Sequence, residues 1–446
     1  MRDAQENPIT DPPFQHRFRL MKVLHLVLRD DGGVGRAAIR NHHALRDIGV
    51  DSVVALGTGT ESPPEHIFSM QHPAQRWWMQ WAPALHRRAL RVRYGSAAIH
   101  LRTSRVPGLI ASTIRRHNPD VIQLHGVFDG LVSARQVASF PVPVVWTLHD
   151  MLPFSPGYHY RGDMMDLPKE HGPLFDDHWP AATKRLATRI FQHKLSCLGT
   201  PKGAVTAPSA WLADEARESE IFRNWEVSHI HHAFPKESWP AADPVSAKAA
   251  FRLAHDSRCL LFGAEGASAP RKGADLFLQA LRRLSASLDP SITSKIVLLV
   301  FGASEGMDWQ AGDIQIRHLG RINDTSVLAQ AYSAADVFVC PSREDNSPNT
   351  VVEALACGTP TIAFHQGGLP DLIEDGRNGF LVPPYDIEAM AKALERAIHH
   401  PSFLPRSEIQ SNIFALSDPA SRAADYQRIY QQVIASPRAQ ALQTRS

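Results

Sequence analysis

The sequence predicts an α/β protein of two Rossmann-like domains, each a parallel sheet covered by helices on both faces. Short β-rich runs alternate with helical patterns along the chain, as βαβ units do and hairpin proteins do not. The runs form two sets on either side of a crossover near Ile230–Phe234. At 446 residues the chain suits two or three domains.

The first set reads Val23–Leu28, Ser52–Leu56, Val121–Leu124, Val144–Thr147 and Ala204–Thr206. The second reads Cys259–Gly263, Lys295–Phe301, Ile314–His318, Val337–Cys340, Thr361–Phe364 and Gly379–Val382. The expected division is a disordered extension over 1–20, an N-terminal domain over 21–220, a C-terminal domain over 221–418 and a last helix within 419–446. Composition fits a soluble globular chain, with 43% hydrophobic and 21% charged residues. A net charge of +2 gives no reason to expect a nucleic-acid partner. The four cysteines are scattered without a C-x-x-C pair and read as thiols of a reducing compartment. No apolar run is long enough to span a bilayer. Residues 1–20 are polar and lack an apolar signal core, so a cytoplasmic location is expected.

The most informative stretch runs from Pro341 to Gly358. It follows the strand-like Asp336–Cys340 and ends in a helical pattern capped by Gly358. Strand, polar loop and helix together place a helix N-terminus at the carboxyl edge of a parallel sheet. Anions bind there, because unpaired N–H groups and the helix dipole both favour negative charge. Two acids flank this site, Asp345 in the loop and Glu353 one turn into the helix. A carboxylate does not help a phosphate, so both are expected to accept hydrogen bonds from hydroxyls. Phosphate with several hydroxyls describes a sugar nucleotide.

This segment resembles the donor-binding motif of glycosyltransferase family 4, retaining enzymes of the GT-B fold. Asp345, seven residues, Glu353-Ala354 and then Gly358-Thr359-Pro360 keep the family spacing. Asp stands where the family usually has Glu, and Asn346-Ser347-Pro348-Asn349 replaces its Gly-Phe-Gly. The resemblance implies two Rossmann-like domains facing each other across a cleft, the first for the acceptor and the second for the nucleotide-sugar donor. It also implies that the last helix, patterned from Ala420 to Ala435, returns to the N-terminal domain. The donor would be a UDP- or GDP-sugar, held by Asn346, Ser347, Pro348, Asn349, Thr350 and Glu353, with no separate cofactor. The acceptor would be a glycan or a lipid-linked molecule of a surface polysaccharide or glycolipid.

Other stretches add to this set. Asp30–Ala38 carries Gly33 and Gly35 at a helix start, where a backbone can approach a ligand closely. A dinucleotide site competes for that pattern, but the third glycine of G-x-G-x-x-G is Ala38. His149, in Trp146–Asp150, matches a family histidine near the donor sugar, where it would position the sugar and stabilise charge; a solvated strand-end histidine is the alternative. His125 has a similar place and a weaker case. Met151–Tyr160 is assigned to the acceptor side.

Arg271 and Lys272 would balance the leaving diphosphate, and Lys272-Gly273 matches the family's Lys-Gly. The family's arginine would fall at Ala267, so that charge is missing or has moved to Arg271. Gly320 and Arg321 resemble the turn that holds the nucleobase. No D-x-D pair occurs, so activity without a metal is expected. His231-His232 lies where the family has a Pro-Asn-Gly turn, and no third ligand is spaced to make it a metal site.

Residues 66–119 hold no Asp or Glu, and Arg76 to Tyr94 mixes cations with aromatics. That chemistry suits an anionic membrane surface at the inner face, with buried tryptophans beneath solvated arginines as the alternative. Two other functions stay open on the same fold: a sugar-nucleotide epimerase or hydrolase, and a non-catalytic binding protein.

Overall fold

The computed structural model describes residues 21–59, 65–70, 73–95, 101–161, 180–264, 269–302, 309–399 and 402–436. The extension expected over 1–20 and the Ala267 position lie outside the described residues.

Two separate parallel sheets form. The first contains β1 (Lys22–Arg29), β2 (Asp51–Thr58), β3 (Ile67–Ser69), β4 (Val121–His125), β5 (Val144–Thr147), β6 (Gly203–Ala207) and β7 (Glu226–His229), in the order β3-β2-β1-β4-β5-β6-β7. The second contains β8 (Arg258–Gly263), β9 (Ile296–Phe301), β10 (Gln315–Gly320), β11 (Val337–Cys340), β12 (Thr361–Phe364) and β13 (Gly379–Val382), in the order β10-β9-β8-β11-β12-β13. Every residue of β4, β5, β9, β11 and β12 is buried. Helices cover both faces of such sheets, so central strands become continuous apolar runs.

All eleven expected strands are present. The two the sequence reading missed, β3 and β7, are edge strands: β3 has three residues, and β7 (Glu-Val-Ser-His) has one apolar residue and no fully buried position. β7 pairs in register with β6, Ala204 opposite Glu226 through Ala207 opposite His229. The boundary drawn at 220/221 is therefore too early, and the chain leaves the first sheet only after His229.

The helix Pro419–Ala435 returns to the first domain. Tyr426 and Tyr430 are fully buried against Val23, Val121 and Val145. The Tyr430 hydroxyl donates to Gln123 Oε1, and the Tyr426 hydroxyl lies 3.4 Å from Thr147 Oγ1. The two crossings between domains also meet, where Phe234 N donates to Ser417 O at 2.9 Å.

Because both sheets are parallel, the carboxyl ends of their strands share one edge each, and those edges face one another. Loops after β1, β5, β8 and β11 thus line a common cleft, as the switch-point rule for open α/β sheets requires. Among the described residues no helix is long and apolar enough to cross a membrane.

Candidate active site

The cleft holds a cavity of about 470 Å³ walled by both domains. One wall is the loop after β11 and the helix Asn349–Ala356. Pro348 precedes this helix, so no side chain caps it. Its first N–H groups are left for a ligand at the cavity edge formed by Pro348, Asn349 and Thr350. Across the cleft the helix Gly32–Asp47 also starts without a side-chain cap. Gly33 is so near the opposite wall that a Cβ there would sit 3.5 Å from Asn349 Nδ2. Two helix N-termini of separate domains converge on one space.

The cations come from the short turn after β8. Lys272 Nζ donates to Asp345 Oδ2 at 2.7 Å, and Arg271 Nη1 lies 3.4 Å from the same oxygen. Ser342 Oγ and the Asn346 N–H also donate to this carboxylate. Burial alone would raise the Asp345 carboxyl; Lys272 and then Arg271 outweigh it and hold the group below its usual value. Asp345 therefore pairs with the cations and holds them in the cleft, instead of standing open to hydroxyls as the sequence suggested. Arg343, which the sequence reading missed, locks the arrangement. Its guanidinium forks onto Asp275 at 2.6 Å twice, and its N–H donates to Arg271 O at 2.8 Å. Gly273, at φ +70°, faces Pro341 O so closely that a Cβ would come within 1.8 Å of it. Only glycine lets the cationic turn dock here.

Glu353 is buried one turn into the helix and accepts from the Tyr332 hydroxyl at 3.1 Å. Burial raises its carboxyl, opposed by Arg40 and Arg36 of the first domain. Asn346 ties the two domains together: Ser209 Oγ donates to its Oδ1 at 2.5 Å, and its Nδ2 donates to His149 O at 3.2 Å. Ala210 N donates to Asp371 Oδ2 beside it, at 2.6 Å. Gly367 and Gly368 let this loop pass, since a Cβ on Gly368 would meet Asn346 O at 1.8 Å.

From the first domain, His149 reaches the cavity after β5, with Asp150, His159 and Tyr160 beside it. Asp150 accepts from Leu152 N at 2.9 Å and pairs with His159 Nδ1 at 2.7 Å. The Tyr160 ring carries the Arg271 guanidinium 4.3 Å above its centroid, and its hydroxyl donates to His149 O at 3.1 Å. His232 stacks on His149, with centroids 5.1 Å apart. The sequence reading gave the His231-His232 pair no role; the structure puts His232 on the cavity wall. The loop Met151–Tyr160 is stapled from below by the fully buried Lys194, which donates to Leu152 O and Ser155 O.

A second cavity, of about 310 Å³, opens beside His149 within the first domain, lined by Leu28, Val34, Phe128 and Leu152 with Asp31 and Asp129. Of the expected residues, Gly35, Gly320 and Arg321 line neither space. Gly35 is buried in the first turn of the helix Gly32–Asp47, where a Cβ would meet Arg29 O at 2.4 Å, so it serves a close backbone crossing. Gly320 and Arg321 are exposed at the end of β10, and the charge of Arg321 is felt at Asp31. His125 is buried behind His149 and does not face the cleft. Among the described residues no cluster could hold a metal ion.

Two Rossmann-like domains facing each other across a cleft are the GT-B architecture. Solved structures share the fold. Sucrose-phosphate synthase from Thermosynechococcus elongatus superposes with a TM-score of 0.64 at 18% identity, over 93% of this chain and 99% of that one. HepE of Anabaena, crystallised with UDP, gives 0.59 at 17% identity, over 92% and 100%. Residues 31–238 match the model described as Glycosyltransferase Family 4, and residues 257–400 the one described as Glycosyl transferases group 1. The chain belongs to glycosyltransferase family 4. Curated relatives include the D-inositol 3-phosphate glycosyltransferase of Streptosporangium roseum, 32% identical over 39% of this chain and 42% of the relative. That of Frankia alni is 28% identical over 65% and 69%. The match thus spans less than half the length of the first of these relatives.

Proposed function

We propose that the chain transfers a sugar from a nucleoside-diphosphate donor, held in the interdomain cleft, to an acceptor hydroxyl presented by the first domain. One observation carries this reading: an uncapped helix start beside Lys272 and Arg271, with the buried Glu353 a turn further in. The helix start and the two cations suit a diphosphate, and Glu353 suits a hydroxyl. Donor-complex structures such as that of HepE with UDP-glucose support the choice of ligand class.

On this reading transfer proceeds with retention, as the family resemblance implies. The acceptor oxygen attacks the anomeric carbon on the face the phosphate leaves, and the bond from that carbon to the phosphate oxygen breaks. The acceptor proton passes to the departing phosphate, so no protein base is needed. Lys272, Arg271 and the two helix starts supply the positive field that a divalent cation would otherwise give, and preorganised charge of this kind is worth several kcal/mol. His149, between the two cavities, positions the sugar.

The outer face of the helix Pro73–Tyr94 gives the acceptor its setting. Trp77, Trp81, Leu85 and Val92 are exposed along one stripe, at 59%, 47%, 58% and 84%, with Arg88 and Arg91 exposed beside them. Arg87 of this helix lies 3.9 Å from Asp129, which lines the smaller cavity. An apolar stripe with flanking arginines suits an anionic lipid surface at the cytoplasmic face, and a lipid-linked acceptor would lie there.

The test incubates the protein with a panel of UDP-, GDP-, ADP- and TDP-sugars and glycan or lipid-linked acceptors, with and without chelator. Product of retained anomeric configuration, formed with chelator present, is expected. Donor breakdown that ignores the acceptor would favour a hydrolase, and binding without any turnover a non-catalytic protein.

A further inference from the structure

Three histidines far apart in sequence form one hydrogen-bonded column running from the interior of the first sheet to the cleft. His25 Nδ1 lies 3.2 Å from His125 Nε2, and His125 Nδ1 lies 3.1 Å from His149 Nε2. His25 and His125 are buried on β1 and β4, and only His149 lines the cavities. The column ends at His25, whose buried Nε2 has no hydrogen-bond partner among the described residues. His42 stands edge-on to it at 6.1 Å but bonds Ser52 Oγ instead.

A neutral imidazole has one N–H and one bare nitrogen, so each ring in such a column must accept on one side and donate on the other. Only two patterns satisfy both contacts: all three rings protonated on Nδ1, or all three on Nε2. In the second, His25 would bury an Nε2–H with nothing to accept it. In the first, it buries only a bare lone pair. Orphaned buried donors are the rarer and costlier case, so the first pattern wins. The rings are neutral, since burial pushes His25 down to about 3 and His149 to about 4, with Asp150 opposing at His149 only in part. His232, stacked on His149, is itself lowered, chiefly by burial.

We propose that His25 and His125 are positioning residues that fix His149 as the neutral Nδ1–H tautomer, so that it offers the cleft a hydrogen-bond donor and no proton-accepting nitrogen. In water neutral histidine favours the opposite, Nε2–H form, so the column selects the minor tautomer. The glycosyl-transfer reading is needed only for what the N–H meets, an oxygen of the donor. Such a His149 cannot take the acceptor proton, which leaves that proton to the phosphate.

The test is a long-range proton–nitrogen correlation spectrum of the nitrogen-15-labelled full chain without ligand, with single histidine substitutions used to assign the rings. The expected result is a protonated Nδ1 and a bare Nε2 for His25, His125 and His149. An Nε2–H form, an averaged pattern or a cation at His149 would overturn the proposal. His125→Phe should return His149 to averaged tautomers, and an unchanged His149 there would remove the positioning role. Should that variant not fold, His25→Phe frees His125 and is judged by the same change. Because no donor is present, loss of the transferase reading leaves this outcome intact, and the reverse also holds.

Discussion

Lys272→Met separates the two tasks that the structure gives this side chain. Its Nζ lies 2.7 Å from Asp345 Oδ2, and Asp345 is 5% exposed. Removing one partner of a buried pair typically costs about 3–5 kcal/mol. Arg271 at 3.4 Å, Ser342 Oγ and the Asn346 N–H remain, which places the loss at the lower end, about 3 kcal/mol. For a domain of this size that is a fall in melting temperature of roughly 6–12 °C. The second task is the donor phosphate, where losing such a charge costs about a hundredfold or more in kcat. Lys272→Met/Asp345→Asn distinguishes the two, since it restores charge balance without restoring a cation. Thermal melts should show the double variant regaining most of the lost stability. Titration calorimetry with nucleoside diphosphates should show affinity still reduced. Full recovery of affinity in the double variant would refute the phosphate role and leave Lys272 as a partner of Asp345 only.

Acid should unfold the chain early. His25, His42 and His149 stand at about 3, 2 and 4 in the folded protein, against 6.5 when unfolded. The unfolded chain takes up these protons first, so stability is full above 6.5 and falls as pH drops toward 4, by up to about 1.4 kcal/mol per pH unit for each ring. Denaturant melts that are flat between pH 6.5 and 5 would contradict the neutral histidines. Asn346→Ala removes both hydrogen bonds that join the β11 loop to Ser209 and His149. It should raise the Michaelis constant for the donor several-fold with little change in melting temperature, and an unchanged constant would mean that the domain bridge does not shape the site. Trp77→Ser/Trp81→Ser/Arg88→Glu should abolish co-sedimentation with anionic vesicles while leaving transfer to a soluble acceptor intact. Equal binding by this variant and the unaltered protein would rule out the helix Pro73–Tyr94 as the contact.

What the sequence reveals is what lies close together along the chain. Pro341–Gly358 is legible because strand, loop and helix are contiguous, and Lys272-Gly273 because the turn that needs glycine is local. The role of Asp345 was misread because its partners, Lys272 and Arg271, lie 73 and 74 residues away, and charge pairing at that distance leaves no local pattern. His232 reaches the site by stacking on His149, Arg40 acts on Glu353 only when the domains meet, and Tyr332 arrives through packing between helices; none has a signature beyond its residue type. Gly35 shows the reverse error, a glycine that matches a ligand loop but serves a close crossing of backbone. The histidine column was hidden for a related reason, since β1, β4 and β5 become neighbours only in the folded sheet.

The central claim is that the cleft holds a nucleotide sugar with Glu353 on a hydroxyl. Its most direct test is calorimetric titration of the unaltered protein and Glu353→Gln with a matched panel of nucleoside diphosphates and their sugars, without metal. Gln keeps the length of the side chain and an acceptor for the Tyr332 hydroxyl but removes the carboxylate. The account predicts tight binding of one nucleotide class, weakened in Glu353→Gln by about 1.5–3 kcal/mol, the value of a hydrogen bond to a charged group. Binding of no nucleotide by a folded protein, or equal binding by both proteins, would contradict it.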